Sequence, residues 1–384
     1  MKLFTDLMPD KHLHIISFDI PYPPNYGGVI DVFYKIRTLC NLGIKIHLHC
    51  FEYPGRGRAS ELNLYCEEVN YYPRKLGIRS AFSLAPYIVS SRKSEVLMAN
   101  LLKDNHPILF EGLHSCYYID DPRLKDRFKI YRESNIEHRY YFNLFKVDAN
   151  LKNRVYFLAA SGKLFLYQHV LRHSNLMLAV SQHDTEYLQK RFPGREIHHL
   201  PSFHANDAVS IIPGKGDYAL YHGNIEVPEN EYAATYLVTK VFNNLDTRLI
   251  IAGMKPRTRF KKLIEAYPNV MLVANPDDDK MFDLIRNAQV NILVTFQATG
   301  LKLKLLNTLY NGRYCLVNDA MTKGTSLEAL CELGNTPEEL RSKLHELFSR
   351  EFSEDESKQR SKLLKVLYDN RENGHKMIGL IYKQ

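Results

Sequence analysis

Apolar and polar positions fall into alternating blocks along this chain of 384 residues, short apolar runs taking turns with stretches of helical period. Leu13 to Phe18, Ile44 to Phe51, Pro107 to Glu111, Lys129 to Arg132, Asn175 to Val180 and Ile197 to Leu200 read as short buried strands. Val29 to Leu42 has the spacing of an amphipathic helix, closed by Gly43. Asn150 to His173 is a long helical stretch, and Ser181 caps a further helix with Asp184 three residues on. Pro201 to Gly216 then loses periodicity and holds two prolines and two glycines, which places a domain boundary there.

The alternation restarts beyond that boundary. Tyr218 to His222, Arg248 to Ala252, Asn269 to Ala274, Val290 to Phe296 and Tyr314 to Val317 are the next strands, with Pro228 near the start of the first intervening helix. Asp277 reads as the N-cap of a helix from Lys280 to Ala288, with Asp278 and Asp279 favoured by the dipole. Thr336, Pro337 and Glu339 make a full capping box, and Glu354 to Tyr368 and Lys376 to Tyr382 look helical. The pattern is that of an α/β protein. Residues 1–205 are expected to form one Rossmann-like domain, 206–360 a second, and 361–384 terminal helices.

Chemistry gathers in the turns after the strands, where ligands bind in such sheets. Gly27-Gly28 follows the first strand; Glu111 ends the third and His114 follows it. Glu133-Ser134-Asn135-Ile136-Glu137 follows the fourth. The most informative stretch is Thr299 to Asn318. An apolar strand turns at Gly300 into a helix with Leu301, Leu305 and Leu309 on one face and Lys302 and Lys304 in its opening turns. The open amides and dipole of such a turn favour an anion by about 0.3–1 kcal/mol.

The run Gly300-Leu-Lys302-Leu-Lys304-Leu-Leu306-Asn307-Thr-Leu-Tyr-Asn-Gly312 resembles the donor-site segment of family 4-type glycosyltransferases of the GT-B fold. That resemblance implies two Rossmann-like domains facing across a cleft. It also implies transfer of a sugar, with retention, from a nucleotide-sugar to a glycan or lipid-linked acceptor. The segments Tyr221-His222-Gly223-Asn224 and Ile250-Ile251-Ala252-Gly253 resemble the family's first two donor-domain turns, and Glu133 to Glu137 its His-Asn-x-Glu run, with Ser134 where His is usual. The donor site implied comprises Gly28, Gly223, Asn224, Lys255, Asn275, Thr299, Gly300, Leu301, Lys302, Lys304 and Asn307; Glu111 and His114 would meet the sugar or acceptor. Four further departures stand out. Thr299 and Asn307 occupy the places of the family's two glutamates, and Asn224 and Glu226 stand where basic residues would help hold phosphate.

Composition narrows the partners. Charged residues make up 24% and no apolar run reaches the ~20 residues of a membrane span. Met1 to Lys11 carries no signal-peptide core, and the six cysteines form no Cys-x-x-Cys pair and read as buried thiols in a reducing compartment. Residues 1–205 hold 27 basic and 20 acidic side chains, residues 206–384 hold 24 and 23, so the net +8 sits almost wholly in the first half. No nucleic-acid motif accompanies it. The basic and apolar stretch Pro73 to Lys93 is therefore expected to meet an anionic membrane or lipid-linked acceptor, giving a cytoplasmic protein peripheral to the inner membrane face. No divalent metal or other cofactor is expected besides the nucleotide-sugar. The alternatives are a sugar-nucleotide epimerase or hydrolase on the same fold, and a donor-site-impaired partner subunit; the substitutions at Asn307 and Asn224 favour the latter.

Overall fold

The computed structural model describes residues 10–53, 55–77, 83–148, 150–296 and 303–383. Its first sheet has seven parallel strands in the order β3-β2-β1-β4-β5-β6-β7. These are β1 (His12–Ser17), β2 (Lys45–Glu52), β3 (Glu68–Pro73), β4 (Ile108–Glu111), β5 (Lys129–Glu133), β6 (Leu176–Ala179) and β7 (Glu196–His199). The second has six, in the order β10-β9-β8-β11-β12-β13, comprising β8 (Ala219–Asn224), β9 (Leu249–Met254), β10 (Val270–Ala274), β11 (Val290–Leu293), β12 (Tyr314–Val317) and β13 (Glu332–Leu333). This is the two-domain α/β architecture expected. Both β3 and β13 escape the apolar-run pattern because few of their positions are buried, β3 being polar and mostly half covered and β13 only two residues long.

Strand order reverses between β1 and β4 in the first sheet and between β8 and β11 in the second. At such switch points the connecting helices leave on opposite faces and open a crevice at the strands' carboxyl ends. One face of the first sheet packs Leu13, Ile15 and Leu48 under the helix Gly27–Asn41; the other packs Ile16, Phe51 and Phe110 against Leu97 and Leu101 of the helix Glu95–Leu101. Each such fully buried aliphatic side chain contributes roughly 1.5–3 kcal/mol.

The local signals are realised where capping chemistry is complete. Asp277 accepts from Lys280 N at 2.8 Å, Ser181 accepts from Asp184 N at 3.1 Å, and Thr336 and Glu339 close their box. The long helical stretch is divided. The helix Leu151–Tyr167 gives way to a tighter 3₁₀ turn, Gln168–His173, and runs beside the helix Glu137–Val147. The end of the chain also differs from expectation. Glu354–Tyr368 is one helix whose Leu364 and Tyr368 lie in the second domain's core, so the return comes at Asp369 and not at residue 361. The helix Asn370–Ile381 then packs on the first domain, starting six residues before Lys376 because the Asp369 carboxylate caps it from Glu372 N at 3.0 Å. Gly374 makes that docking close: a Cβ there would come within 2.6 Å of Leu42 and 2.9 Å of Thr38. The two passages between domains run side by side, with His204 N donating to Asn370 Oδ1 at 3.2 Å and Asn370 Nδ2 donating back to His204 O at 2.8 Å.

Candidate functional site

The crevice of the second domain is built on two glycines. Gly223, next to last in β8, has φ +152°, and a Cβ on Gly253 of β9 would lie 2.1 Å from the Gly223 carbonyl, so only glycine fits there. Beyond Gly223, Asn224 Oδ1 accepts from Glu226 N at 3.0 Å, and its carbonyl accepts from Asn230 Nδ2 at 2.9 Å. Asn230 lies in the first turns of the helix Pro228–Tyr236, and its Oδ1 accepts from Lys304 Nζ at 3.1 Å. Lys304 opens the helix Leu303–Asn311 and stands 5.0 Å from the Tyr221 ring centre. Asn230 thus ties the turn after β8 to the helix after β11, across the switch point. Below them His222 contacts Thr308 Oγ1 at 2.9 Å; burial, with Lys304 nearby, lowers its pKa to about 3 and keeps the ring neutral. Glu229, also buried, accepts from the Thr295 hydroxyl.

Other residues expected at the donor already have partners within the fold. Lys255 and Asn275 both take left-handed backbone, φ 47° and 51°, and Asn275 Oδ1 accepts from Lys255 N at 2.7 Å. Lys255 Nζ pairs with Glu226 at 3.2 Å, so its charge is already answered in an exposed pair of the weak surface kind. Asn307 Oδ1 accepts from Asn311 Nδ2 at 2.9 Å, and Asn311 reaches on to Asn206 at 2.8 Å in the interdomain connection. Thr299, Gly300, Leu301 and Lys302 lie outside the described residues.

Across the cleft, the structure places Glu111 otherwise than the sequence reading expected. Its carboxylate is 2% exposed and accepts from Lys35 Nζ at 2.6 Å. Lys35 also meets Asp31 at 3.0 Å, and Arg132 meets Asp31 at 3.2 Å. Glu111 is therefore one corner of a buried four-charge cluster beneath the crevice. Burial raises its pKa despite Lys35, while Asp31, pulled up by burial, is carried well below its ordinary value by Arg132 and Lys35. Gly28 has a packing reason as well, since a Cβ there would meet the Phe18 ring at 2.6 Å.

His114 sits beside that Phe18 ring, centroids 5.5 Å apart, with Nδ1 3.8 Å from Glu137 Oε1. Burial, then the charges of Arg92 and Arg74, hold His114 well below the ordinary histidine value. Burial lifts Glu137 to about 8. At neutral pH the two are therefore a neutral imidazole and a carboxylic acid, not an ion pair, and at 3.8 Å they stand beyond hydrogen-bond distance of each other. The helix that Glu137 opens, Glu137–Val147, faces the helix Pro228–Tyr236 of the second domain. Beside it an open groove of about 580 Å³ is lined by Arg139, Phe142, Phe165 and His183. Glu137 was legible as part of the loop after β5; its shifted titration needed the burial that only the fold supplies.

The raised pKa of Glu137 makes its contribution to stability fall as pH rises. A carboxyl whose folded pKa lies above its ordinary 4.5 gives a contribution that is whole below that value and is lost as pH rises through about 8. Between about pH 5 and about pH 9, wild type should lose more stability in urea unfolding than Glu137→Gln. Equal losses would mean that Glu137 is ionised in the folded protein.

The basic stretch Pro73 to Lys93 is corrected in part. Arg92 is 1% exposed and donates to the Phe18 and Ile88 carbonyls. Arg74 lies 4.1 Å from the Tyr53 ring centre and donates to Ser91. Arg79 lies outside the described residues. Two of the basic groups thus serve the fold, because each has carbonyl, hydroxyl or aromatic partners at hand.

Two crevices at switch points, facing each other, make this the GT-B fold. No protein-family model matches the chain. It is 25% identical over 341 residues, 81% of this chain and 84% of the relative, to an uncharacterized 44.6 kDa protein in cps region of Klebsiella pneumoniae. Among solved structures it is similar to Anabaena Alr3699/HepE in complex with UDP and glucose (TM-score 0.67, 9% identity, 97% of this chain and 99% of that one). It is similar also to WaaG, a glycosyltransferase involved in lipopolysaccharide biosynthesis (TM-score 0.60, 12% identity, 97% and 100%). The neighbours are GT-B glycosyltransferases, and at these identities what they share with this chain is the fold.

Proposed function

We propose that this protein transfers a sugar from a nucleotide-sugar to a glycan or lipid-linked acceptor, in cell-surface polysaccharide synthesis and without a catalytic metal. The observation that carries the reading is the Lys304–Asn230–Asn224 tether beside the Gly223–Gly253 approach. It holds a cation and a close-approach backbone at one switch point, where a departing diphosphate needs charge stabilisation. Lys304 takes that charge, Asn307 offers its amide hydrogens to the ribose, and the His114–Glu137 pair faces the acceptor. Asp277 is an N-cap in the fold, which leaves it employed without an ion. The HepE complex with UDP, WaaG's role in lipopolysaccharide and the cps-region relative all support the reading. A thermal-shift screen of nucleoside diphosphates tests it. Ligand at 100 times its Kd should stabilise by about 2.7 kcal/mol. No shift with any of them would favour a second reading, a partner subunit with an impaired donor site. The Lys255–Glu226 pair and the engaged Asn307 oxygen are the observations on that side.

The acceptor side also presents an apolar surface. On the helix Leu151–Tyr167, Leu151, Val155, Leu158 and Leu166 are exposed, with exposed Lys152 and Lys163 among them. Among the described residues no helix is long and apolar enough to cross a membrane, so this one would lie on the surface of one. The excess positive charge of the first half selects an anionic face, each Lys or Arg contributing about 1 kcal/mol there. In liposome flotation, binding to anionic vesicles should fall with added salt and with Val155→Glu/Leu166→Glu, leaving nucleotide affinity unchanged. Indifference to salt and to both changes would leave a soluble acceptor.

A further inference from the structure

The end of the first sheet opposite the crevice carries a second cluster. β1 and β2 place His12, His14, His47 and His49 at alternate positions on one face, and His106 stands two residues before β4. The deeper pair is satisfied within the fold. His14 meets Asp104 at 3.0 Å and His49 Nε2 at 2.9 Å, and His49 Nδ1 meets the Tyr72 hydroxyl at 2.8 Å. The outer three are half-buried, and each offers a ring nitrogen within 4.8 Å of the other two. His12 Nδ1 and His47 Nε2 already stand 2.9 Å apart. Behind His47, its other nitrogen Nδ1 is 3.7 Å from the Glu68 carboxylate. A carboxylate behind a histidine is the usual outer partner of a metal-bound imidazole, fixing its tautomer and raising its basicity.

We infer that His12, His47 and His106 form a site for a divalent ion of the zinc class at the amino-terminal edge of the first sheet. Three imidazoles and one water complete a tetrahedral shell, and imidazole nitrogen favours zinc, cobalt, nickel or copper over magnesium and calcium. In the His12–His47 contact one proton lies between two nitrogens; the ion takes its place once the proton of His12 moves to its other nitrogen. The rings now stack, His12 on His106 with centroids 4.4 Å apart and planes 10° from parallel. They must turn about their side-chain bonds until the three nitrogens are roughly 3.3 Å apart, as bonds of ~2.0–2.1 Å in a tetrahedron require. Partial exposure leaves room for that turn and a path for the ion. The loop bearing His106 is already anchored, since Asp104 accepts from His106 N at 2.9 Å and from Arg127 at 3.1 Å. A bound ion would join β1, β2 and the approach to β4. A strand of six residues, roughly 20 Å, separates it from the crevice. Its role is therefore to stabilise the sheet, outside the transfer chemistry.

The test uses the full chain stripped with chelator, titrated with zinc in calorimetry and with cobalt in visible absorption. The expected result is one ion per chain and the absorption band of a tetrahedral cobalt site. Zinc affinity should fall at least ~100-fold in His106→Gln and about 10-fold in Glu68→Gln, since outer partners alone are worth 10–100-fold. The exposed His169, outside the cluster, should be replaceable by Gln without effect. Nucleoside-diphosphate binding should not change with the ion, so this inference and the proposed function fail separately. Wild-type zinc affinity in both His106→Gln and Glu68→Gln, or equal losses in His169→Gln, would overturn it and leave a column of packed neutral imidazoles.

Discussion

Lys35→Met should destabilise the protein by about 3–5 kcal/mol, the range for breaking a buried ion pair by removing one partner. Lys35 is fully buried and stands between Glu111 and Asp31, at 2.6 and 3.0 Å. Without it two carboxylates face each other in a dry site, and Arg132 reaches only Asp31. The double variant Lys35→Met/Glu111→Gln should recover most of the loss, because it removes the orphaned charge; Asp31 keeps Arg132 and the Phe203 amide at 2.7 Å. Urea unfolding of the three proteins decides it. A loss under about 1 kcal/mol in Lys35→Met would mean water reaches the cluster. Arg132 also donates to the Leu200 and Pro201 carbonyls, so the same charges hold the start of the interdomain connection.

Lys304→Ala should weaken nucleoside-diphosphate binding by roughly 1.5–3 kcal/mol, the contribution of one hydrogen bond to a charged group. Lys304 is held in place by Asn230 before any ligand arrives, so little side-chain entropy remains to be lost on binding. Asn230→Ala should give a smaller loss, since the charge remains and only its position is freed. Calorimetry at two salt concentrations separates charge from position: the Lys304→Ala deficit should shrink as salt rises. Unchanged affinity in Lys304→Ala would remove this lysine from the donor site.

What the sequence showed best was what short-range chemistry decides. The Asp277 cap, the Thr336 box and the apolar strands on either side of the linker depend on neighbours a few residues away. The chemistry of the cleft depends on pairs far apart in the chain. Glu111 and Lys35 are separated by 76 positions, and nothing local distinguishes a carboxylate bound for a lysine from one bound for a sugar. Arg92 reads as a surface cation beside Lys93, yet it meets the Phe18 carbonyl 74 positions away. Asn307 turns to Asn311 one helical turn on, a pairing visible in the spacing only once the helix face is known. The histidine column is the plainest case. His12-Leu-His14 and His47-Leu-His49 are simple alternations until the parallel register sets His14 beside His47. The terminal helix was underread because Asn370, Asn373 and Gly374 are poor helix formers, and docking on the first domain overrides that preference.

We propose that a nucleotide-sugar binds where the second sheet reverses its strand order. Hydrogen–deuterium exchange of the full chain, with and without the diphosphate chosen by the screen and with chelator present throughout, locates the binding site. The expected result is protection of the turn after β8 from Gly223 to Asn230, of the turn after β9 at Lys255, and of the first turns of the helix Leu303–Asn311. The amino-terminal edge of the first sheet should be unchanged by the nucleotide. Protection confined to the first domain, or none at saturating nucleotide, would mean that the second domain's switch point is not the nucleotide site.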